Sequence, residues 1–219
     1  DCRILERTDG SVENRLVLLE IPKLESTSLN SALAIRRGLP RYIECYLHLL
    51  KAISLLQTKQ IVHFDIKADN ILFGLKFEVP LLLDFGLSIP IKDLNSQNRD
   101  KYFYSYVPEY IPWPPEVHII NYVLHVGKGT LSREGLQSVC DRIAAAQPFL
   151  TDDSVRVEYA SLCYASFREF LNKSPGDVVL NLCEYWATWD NYSLGILFSR
   201  YLNRAIDDDV SRNALLDGI

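Results

Sequence analysis

The sequence lacks long runs of basic residues and long runs of apolar residues. It has 23 Lys and Arg against 28 Asp and Glu, a net charge of −5, which argues against nucleic acid or an anionic membrane as a partner. No apolar run approaches the roughly 20 residues of a membrane-spanning helix, and residues 1–10 carry charges where a signal peptide has its apolar core. The five cysteines form no CxxC pair and are odd in number, which is typical of free thiols in a reducing compartment. These absences predict a soluble, cytoplasmic protein.

Hydrophobic periodicity predicts strands near the start of the chain and helices after them. The 219 residues, 48% of them hydrophobic, are enough for one domain or for most of a larger one. Residues 3–9 and 15–21 are predicted strands joined by turn-forming residues, and residues 28–37 a short helix. A longer helix is predicted at 41–58, after Pro40. Its expected apolar face consists of Ile43, Tyr46, Leu47, Leu50, Ile53 and Leu56.

The rest of the chain divides into short strands, a loop and a helical part. IVHFDIKADNILF (61–73) and PLLLDFG (80–86) are predicted short strands flanking polar loops. Residues 88–116 are rich in proline and polar side chains without periodicity, which predicts a long loop. Residues 117–206 are predicted to be mainly helical, with a break at SPGD (174–177). Strands early and helices late predict an α+β fold class.

The polar loop HFDIKADN (63–70) contains the residue types that phosphoryl transfer requires. That reaction needs an acceptor for the hydroxyl proton, a cation near the phosphoryl group and hard oxygen ligands for Mg²⁺. Asp65 is the candidate proton acceptor, and Lys67 is the candidate contact to the transferred phosphate. Asn70 and Asp84 are the candidate Mg²⁺ ligands. The alternative is that the same polar side chains only cap loops.

Four motifs in this chain resemble motifs of the eukaryotic-type protein kinases. HFDIKADN is similar to their HRDLKxxN catalytic loop, and LLLDFGLS (81–88) to their metal-binding DFG segment. PWPPEVH (112–118) resembles their APE motif, and WDNYSLGI (189–196) resembles the D-x-W-S-x-G start of their central helix. Four motifs in the family's order are a more specific signal than any one of them. The resemblance covers about residues 3–206.

The resemblance implies a protein kinase-like fold, mostly the helical C-lobe with a short N-lobe hairpin. Residues 1–22 would be N-lobe strands and the hinge, and residues 23–219 the C-lobe with an insert within about 119–185. The spelling PPEVH and the long insert also resemble kinases encoded by large DNA viruses, which would place the protein in a host cell.

The implied activity is ATP- and Mg²⁺-dependent phosphorylation of a protein substrate. Lys67 favours serine and threonine over tyrosine as the acceptor, because tyrosine-specific members of the family usually lack it. Glu20 would be the first hinge residue, Leu72 would form the floor under adenine, and Asp84 would bind the metal beside the nucleotide. Asp190 would hydrogen-bond the backbone of the catalytic loop.

The chain also departs from the family. Phe64 replaces an Arg that usually pairs with a phosphorylated residue, so control by phosphorylation of the segment after the DFG motif is not expected. The sequence contains neither the family's Gly-rich phosphate loop nor the Lys and the Glu that follow that loop in the family. The first expectation is a fragment of a longer kinase, and the second a reduced, inactive relative.

Two other functions are left open. One is a pseudokinase or scaffold that binds partners without catalysis, and retention of the four candidate site residues argues against it. The other is a small-molecule phosphotransferase of related fold, and Lys67, the DFG triplet and the PPE segment favour protein substrates instead. His63 is expected to be structural, holding the loop against Phe85 or the nearby backbone.

Overall fold

A computed structural model describes most of the chain, with helices as the main element and strands in small antiparallel sheets. This confirms the α+β class. The proline at position 22 and the turn between the first two strands lie outside the described residues. Described are residues 3–7, 16–20, 25–35, 39–76, 78–127 and 129–216, with their side chains within 25–34 and 39–202.

Three small antiparallel sheets are present in the described part of the chain. The first two strands pair with Arg3 opposite Glu20, which confirms the predicted hairpin. The strands are β1 (Arg3–Arg7), β2 (Leu16–Glu20), β3 (Ser26–Ser28), β4 (Ile61–Val62), β5 (Ile71–Gly74), β6 (Val79–Leu82) and β7 (Ile89–Pro90). In the second sheet β5 is central, between β3 and β6. The third sheet joins β4 to β7, with Val62 opposite Ile89.

Helices occupy most of the chain after residue 115, as predicted. The break at SPGD is a helix start, because the Ser174 hydroxyl caps the backbone N–H of Asp177 at 3.2 Å and Pro175 is the first helical residue. Residues 88–116 are largely irregular, apart from β7, a 3₁₀ turn and one short helix. The α-helices are α1 (Leu29–Ile35), α2 (Leu39–Thr58), α3 (Arg99–Tyr102), α4 (Pro115–His125), α5 (Arg133–Ala146), α6 (Asp153–Phe167), α7 (Pro175–Cys183) and α8 (Trp186–Leu216).

The buried face of α2 differs from the predicted face. Ile43 and Leu47, both expected inside, are 45% and 49% exposed. The helix instead packs against α8, β4 and β6 through a face rotated by about one residue. The residues buried on that face are Tyr42, Cys45, Leu49 and Ile53.

Buried side chains form two hydrophobic clusters, named here the loop-side cluster and the α2-side cluster. The loop-side cluster includes Phe64, Phe103, Trp113 and Trp189, together with residues of α4, α5 and α7. The α2-side cluster joins α1 and α2 to β5 and to the side chains of α8 from Leu194 to Tyr201. Segment 61–73 and helix α8 contribute residues to both clusters.

In the part of the chain that the structure describes, no helix has both the length and the apolarity to span a bilayer. The cysteines at 45, 140, 163 and 183 are free thiols, as the sequence predicts.

Candidate functional site

Residues 63–70, named here the site loop, connect β4 to β5 and are anchored from α8. The Asp190 carboxylate accepts two backbone hydrogen bonds, from His63 N–H at 2.7 Å and from Phe64 N–H at 2.9 Å. Burial raises the pKa of Asp190, and these two N–H donors act in the opposite direction. One side chain of a distant helix therefore fixes the start of the loop, which is the role expected for Asp190.

His63 fixes the next part of the loop. Its Nδ1 accepts a long hydrogen bond from Asp65 N–H at 3.4 Å, so its proton is on Nε2, which donates to the Leu83 carbonyl at 2.9 Å. The ring is fully buried and its centroid lies 4.8 Å from that of Phe85. These contacts confirm the structural role expected for His63 and tie the loop to the residue before Asp84.

The loop brings Asp65, Lys67 and Asn70 together. Lys67 Nζ lies 2.9 Å from Asp65 Oδ2, and Asn70 Nδ2 donates to the same oxygen at 2.7 Å and to the Asp65 carbonyl at 2.9 Å. The Asp65 side chain is 7% exposed and that of Lys67 is 37% exposed. A carboxylate that is oriented by an ammonium and an amide on one oxygen has its other oxygen, Oδ1, available for a further donor.

That further donor is Tyr110, whose hydroxyl hydrogen-bonds Asp65 Oδ1. Burial, followed by the hydrogen bond to Asp65, raises the pKa of Tyr110 far above its ordinary value, so the hydroxyl keeps its proton. The Lys67 ammonium lies 6.0 Å from the centre of the tyrosine ring. A cavity of about 190 Å³ lies beside them, lined by Asp65, Lys67, Leu87 and four side chains of residues 104–113.

Asp84 lies at the same end of the three-stranded sheet as Asn70. The backbone N–H of Leu83 donates to the Asn70 carbonyl at 2.8 Å, directly after the β5–β6 ladder. Asp84 is exposed, with a left-handed φ of 60°, and its Oδ1 accepts the Gly86 N–H at 3.1 Å. Asn70 directly precedes β5 and Asp84 follows β6 after one intervening residue, so the backbones of the two predicted metal ligands lie at the same end of the sheet.

The side-chain types of Asn70 and Asp84 are ones that Mg²⁺ takes as ligands. Asn70 donates its amide hydrogens to two oxygens of Asp65, which leaves Oδ1, the hard donor atom, outside those hydrogen bonds. Asp84 adds an exposed carboxylate. One carboxylate with one amide oxygen suits Mg²⁺, which usually takes one or two carboxylates and keeps water or phosphate in its other positions.

Leu72 and Glu20 are the other two predicted nucleotide contacts, and of these the structure describes the side chain of Leu72. Leu72 is half-buried in β5, two residues after Asn70, opposite Leu81 on one side and Ser28 on the other. Glu20 ends β2, and its side chain lies outside the described residues. The described contacts therefore unite the catalytic candidates but leave the relation between Glu20 and the site loop as a prediction.

Phe64 lies at the centre of an aromatic group. Its ring centroid is 5.2 Å from that of Trp113, 5.8 Å from that of Trp189 and 5.9 Å from that of Phe103. Trp113 also donates its indole N–H to the Phe64 carbonyl at 3.0 Å. Phe64 has a φ of 67°, a conformation that costs energy for a bulky residue and persists where its surroundings determine it. Here the Asp190 and Trp113 hydrogen bonds hold the backbone on both sides of that angle.

Sequence reasoning missed Tyr110 and Trp113. Tyr110 is 45 residues from Asp65 and Trp113 is 49 residues from Phe64, so no local spacing reveals either pair. The available signal is the concentration of aromatic side chains between prolines in VPEYIPWPP. Aromatic residues with polar tips tend to bury the ring and direct the tip to a polar partner.

No protein-family model matches this chain, and a search of curated proteins finds no match. Function is therefore inferred from the motifs together with the geometry of the site loop.

Proposed function

We propose that this chain contains the catalytic site of a protein kinase-like enzyme that transfers the γ-phosphoryl group of ATP to serine or threonine hydroxyls of proteins. The observation that carries the proposal is the hydrogen-bonded group of Asp65, Lys67 and Asn70. In this group one carboxylate oxygen receives two nitrogen donors and the other receives a hydroxyl. A carboxylate oxygen that is oriented in this way and accepts a hydrogen bond from a hydroxyl is positioned to accept the proton of a substrate hydroxyl.

In the proposed reaction Asp65 accepts the proton of the acceptor hydroxyl. The hydroxyl oxygen forms a bond to the γ-phosphorus, the bond from that phosphorus to the ADP oxygen breaks, and the proton passes to the carboxylate. Lys67 and Asn70 hydrogen-bond Oδ2 of Asp65, which keeps its Oδ1 directed at the acceptor hydroxyl. The ammonium of Lys67 also places positive charge near the phosphoryl group, which carries negative charge during the transfer.

Asn70 and Asp84 are the proposed metal-binding residues. When bound, Mg²⁺ supplies charge neutralisation to the phosphates and orients them. Leu72 is proposed to contact the adenine from β5, and Glu20 to contact it from the end of β2. Lys67 favours serine or threonine as the acceptor, as the resemblance implies.

Replacement of Asp65 by asparagine tests the proposal. Asp65→Asn keeps the shape of the side chain but removes the proton acceptor, so turnover of the full-length protein should fall by about 10²–10⁴-fold, the usual range for a positioned acid–base group. Turnover is measured as transfer of ³²P from ATP to dephosphorylated casein. Asp69→Asn is the matched control, because Asp69 is exposed in the same loop, and it should retain activity.

The outcome also separates the proposal from its two alternatives. Full activity of a folded Asp65→Asn protein contradicts the role of Asp65. Transfer to small hydroxyl compounds and not to casein identifies a small-molecule phosphotransferase. No transfer by the unmodified full-length protein, combined with retained binding of partner proteins, identifies a scaffold.

A further inference from the structure

The predicted proton acceptor is covered in the described conformation. Asp65 is 5% exposed, and both of its carboxylate oxygens already accept hydrogen bonds from the chain itself. The oxygen left over by Lys67 and Asn70 is the one that Tyr110 occupies. In the proposed reaction, a serine hydroxyl of another protein needs that same oxygen.

We propose that Tyr110 occupies the acceptor-hydroxyl position of the site, so that a protein acceptor binds only after Tyr110 leaves Asp65. This inference rests on the proposed function and adds a regulatory residue to it. The Tyr110 hydroxyl mimics the hydroxyl of a protein acceptor, because it is a protonated O–H that donates to the same carboxylate oxygen. The described conformation is then the blocked member of an equilibrium between blocked and open forms.

The contacts next to Tyr110 in its segment are partly surface contacts. Tyr110 ends a turn in which its N–H donates to the Val107 carbonyl at 2.9 Å, and Val107 is 40% exposed. Glu109, next to it, pairs with Arg142 of α5 at the surface. Surface ion pairs of this kind contribute little to stability. Firmer attachments lie on either side of Tyr110, at Trp113, which is 3% exposed, and at Tyr106, which packs against the loop-side cluster. An opening therefore involves the residues between them.

Self-occupation of this kind has a defined kinetic signature. When the binding-competent form is a fraction of the population, the apparent affinity for acceptor falls by that fraction, and the rate after binding is unchanged. Tyr110→Phe keeps the ring and removes the hydrogen bond to a charged group, an interaction worth about 10-fold or more in an equilibrium. The KM for acceptor should therefore fall by about that factor, while kcat and the KM for ATP stay within about twofold.

The experiment uses the full-length protein and dephosphorylated casein, with Tyr104→Phe as the matched control. Tyr104 belongs to the same segment and is 50% exposed, and within the described residues its hydroxyl makes no hydrogen bond to Asp65. The control should leave all three constants unchanged. Melting temperatures of both variants establish that they are folded.

The outcomes separate the inference from the proposed function. A lower KM for casein in Tyr110→Phe alone supports self-occupation. Equal KM values in the wild type and both variants overturn self-occupation, while the proposed function stands. A fall in kcat at constant KM in Tyr110→Phe also overturns self-occupation, because that result makes Tyr110 a positioning residue. If no protein transfers phosphate to casein, the proposed function fails and the inference fails with it.

Discussion

The buried polar residues of the site loop differ from those of α4 in their hydrogen bonding. Those of the site loop have partners, and those of α4 have none within the described part of the chain. His118 and Asn121 are fully buried, and neither their ring nitrogens nor their amide atoms make a hydrogen bond there. A buried polar group without a partner reduces stability, and native proteins contain few of them. The two are three residues apart on a helix whose other buried residues are apolar, so they are a local weak point of the loop-side cluster.

His118 makes stability depend on pH. Burial lowers the pKa of His118 from 6.5 to about 4, although the Trp113 carbonyl, the charge of Glu109 and the Tyr110 carbonyl oppose the shift. The unfolded chain therefore binds a proton as the pH falls below about 6.5, and the folded chain does not until about pH 4. Since the folded pKa is the lower one, the folded state loses stability over this window, by about 3 kcal/mol in total.

Urea denaturation between pH 7.5 and 4.5 measures this effect. His118→Leu should weaken the loss of stability on acidification, because the titrating group is gone and no hydrogen bond of its ring is lost. Asn121→Leu is the control, because it removes a buried polar group three residues along α4 without removing a titrating one, and it should keep the wild-type slope. Identical slopes for His118→Leu and wild type would show that His118 is accessible to protons in the folded state.

At the scale of elements, α8 connects the site to both halves of the core. Trp189 belongs to the loop-side cluster and Leu194 to the α2-side cluster. Between them, Asp190 holds the site loop, and the Ser193 hydroxyl donates to the Pro112 carbonyl at 2.6 Å. One turn of this helix thus positions the site loop and also the segment that carries Tyr110 and Trp113.

Asp190→Asn tests this anchor. Asparagine has one acceptor oxygen, and its NH₂ group takes the place of the second oxygen of Asp190. The backbone N–H of either His63 or Phe64 is therefore left buried and without an acceptor. We expect a loss of about 1–3 kcal/mol in the free energy of unfolding, the usual cost of such a group. Asp153→Asn, a replacement at a side chain that is 93% exposed on α6, should leave the melting temperature unchanged. A melting temperature for Asp190→Asn equal to that of the control would mean that the loop does not depend on Asp190.

Element types were predictable from the sequence, and contacts between distant elements were predictable only where a motif encoded them. The hairpin, α1, α2 and the helical second half follow from local patterns of apolar and turn-forming residues. The buried face of α2 does not, because the helix has apolar residues on several sides and its neighbours decide which side is covered. The Asp190 anchor was expected from the resemblance. Tyr110 was not, because pairing over 45 residues leaves no periodic signal.

At the scale of the whole molecule, the site loop lies where the two clusters meet. Phe64 belongs to the loop-side cluster and Ile66 to the α2-side cluster, so the loop contributes one apolar side chain to each. Asp65, between the two, is held at the boundary. The aromatic group around Phe64 joins the loop to Phe103 and Trp113 of segment 84–116 and to Trp189 of α8. Apolar packing therefore connects three distant parts of the chain at the position where the protein kinases that its motifs resemble usually have an arginine.

This packing predicts that the proposed activity does not require phosphorylation of segment 84–116. In the kinases that the motifs resemble, an arginine at this position binds a phosphate through two charge-assisted hydrogen bonds. Phe64 is 2% exposed and its side chain has no donor. Tyr102, Tyr104 and Ser105 can accept a phosphate without being needed to order the loop.

The measurement treats the full-length protein with phosphatase, verifies by mass spectrometry that residues 84–116 are unmodified, and compares phosphate transfer to casein before and after treatment. Activity should stay within about twofold, since the aromatic contacts persist without phosphate. A loss of about tenfold or more, equivalent to about 1.4 kcal/mol in the barrier, that is recovered when the segment is phosphorylated again would show that a cation elsewhere in the protein has taken the role of the missing arginine.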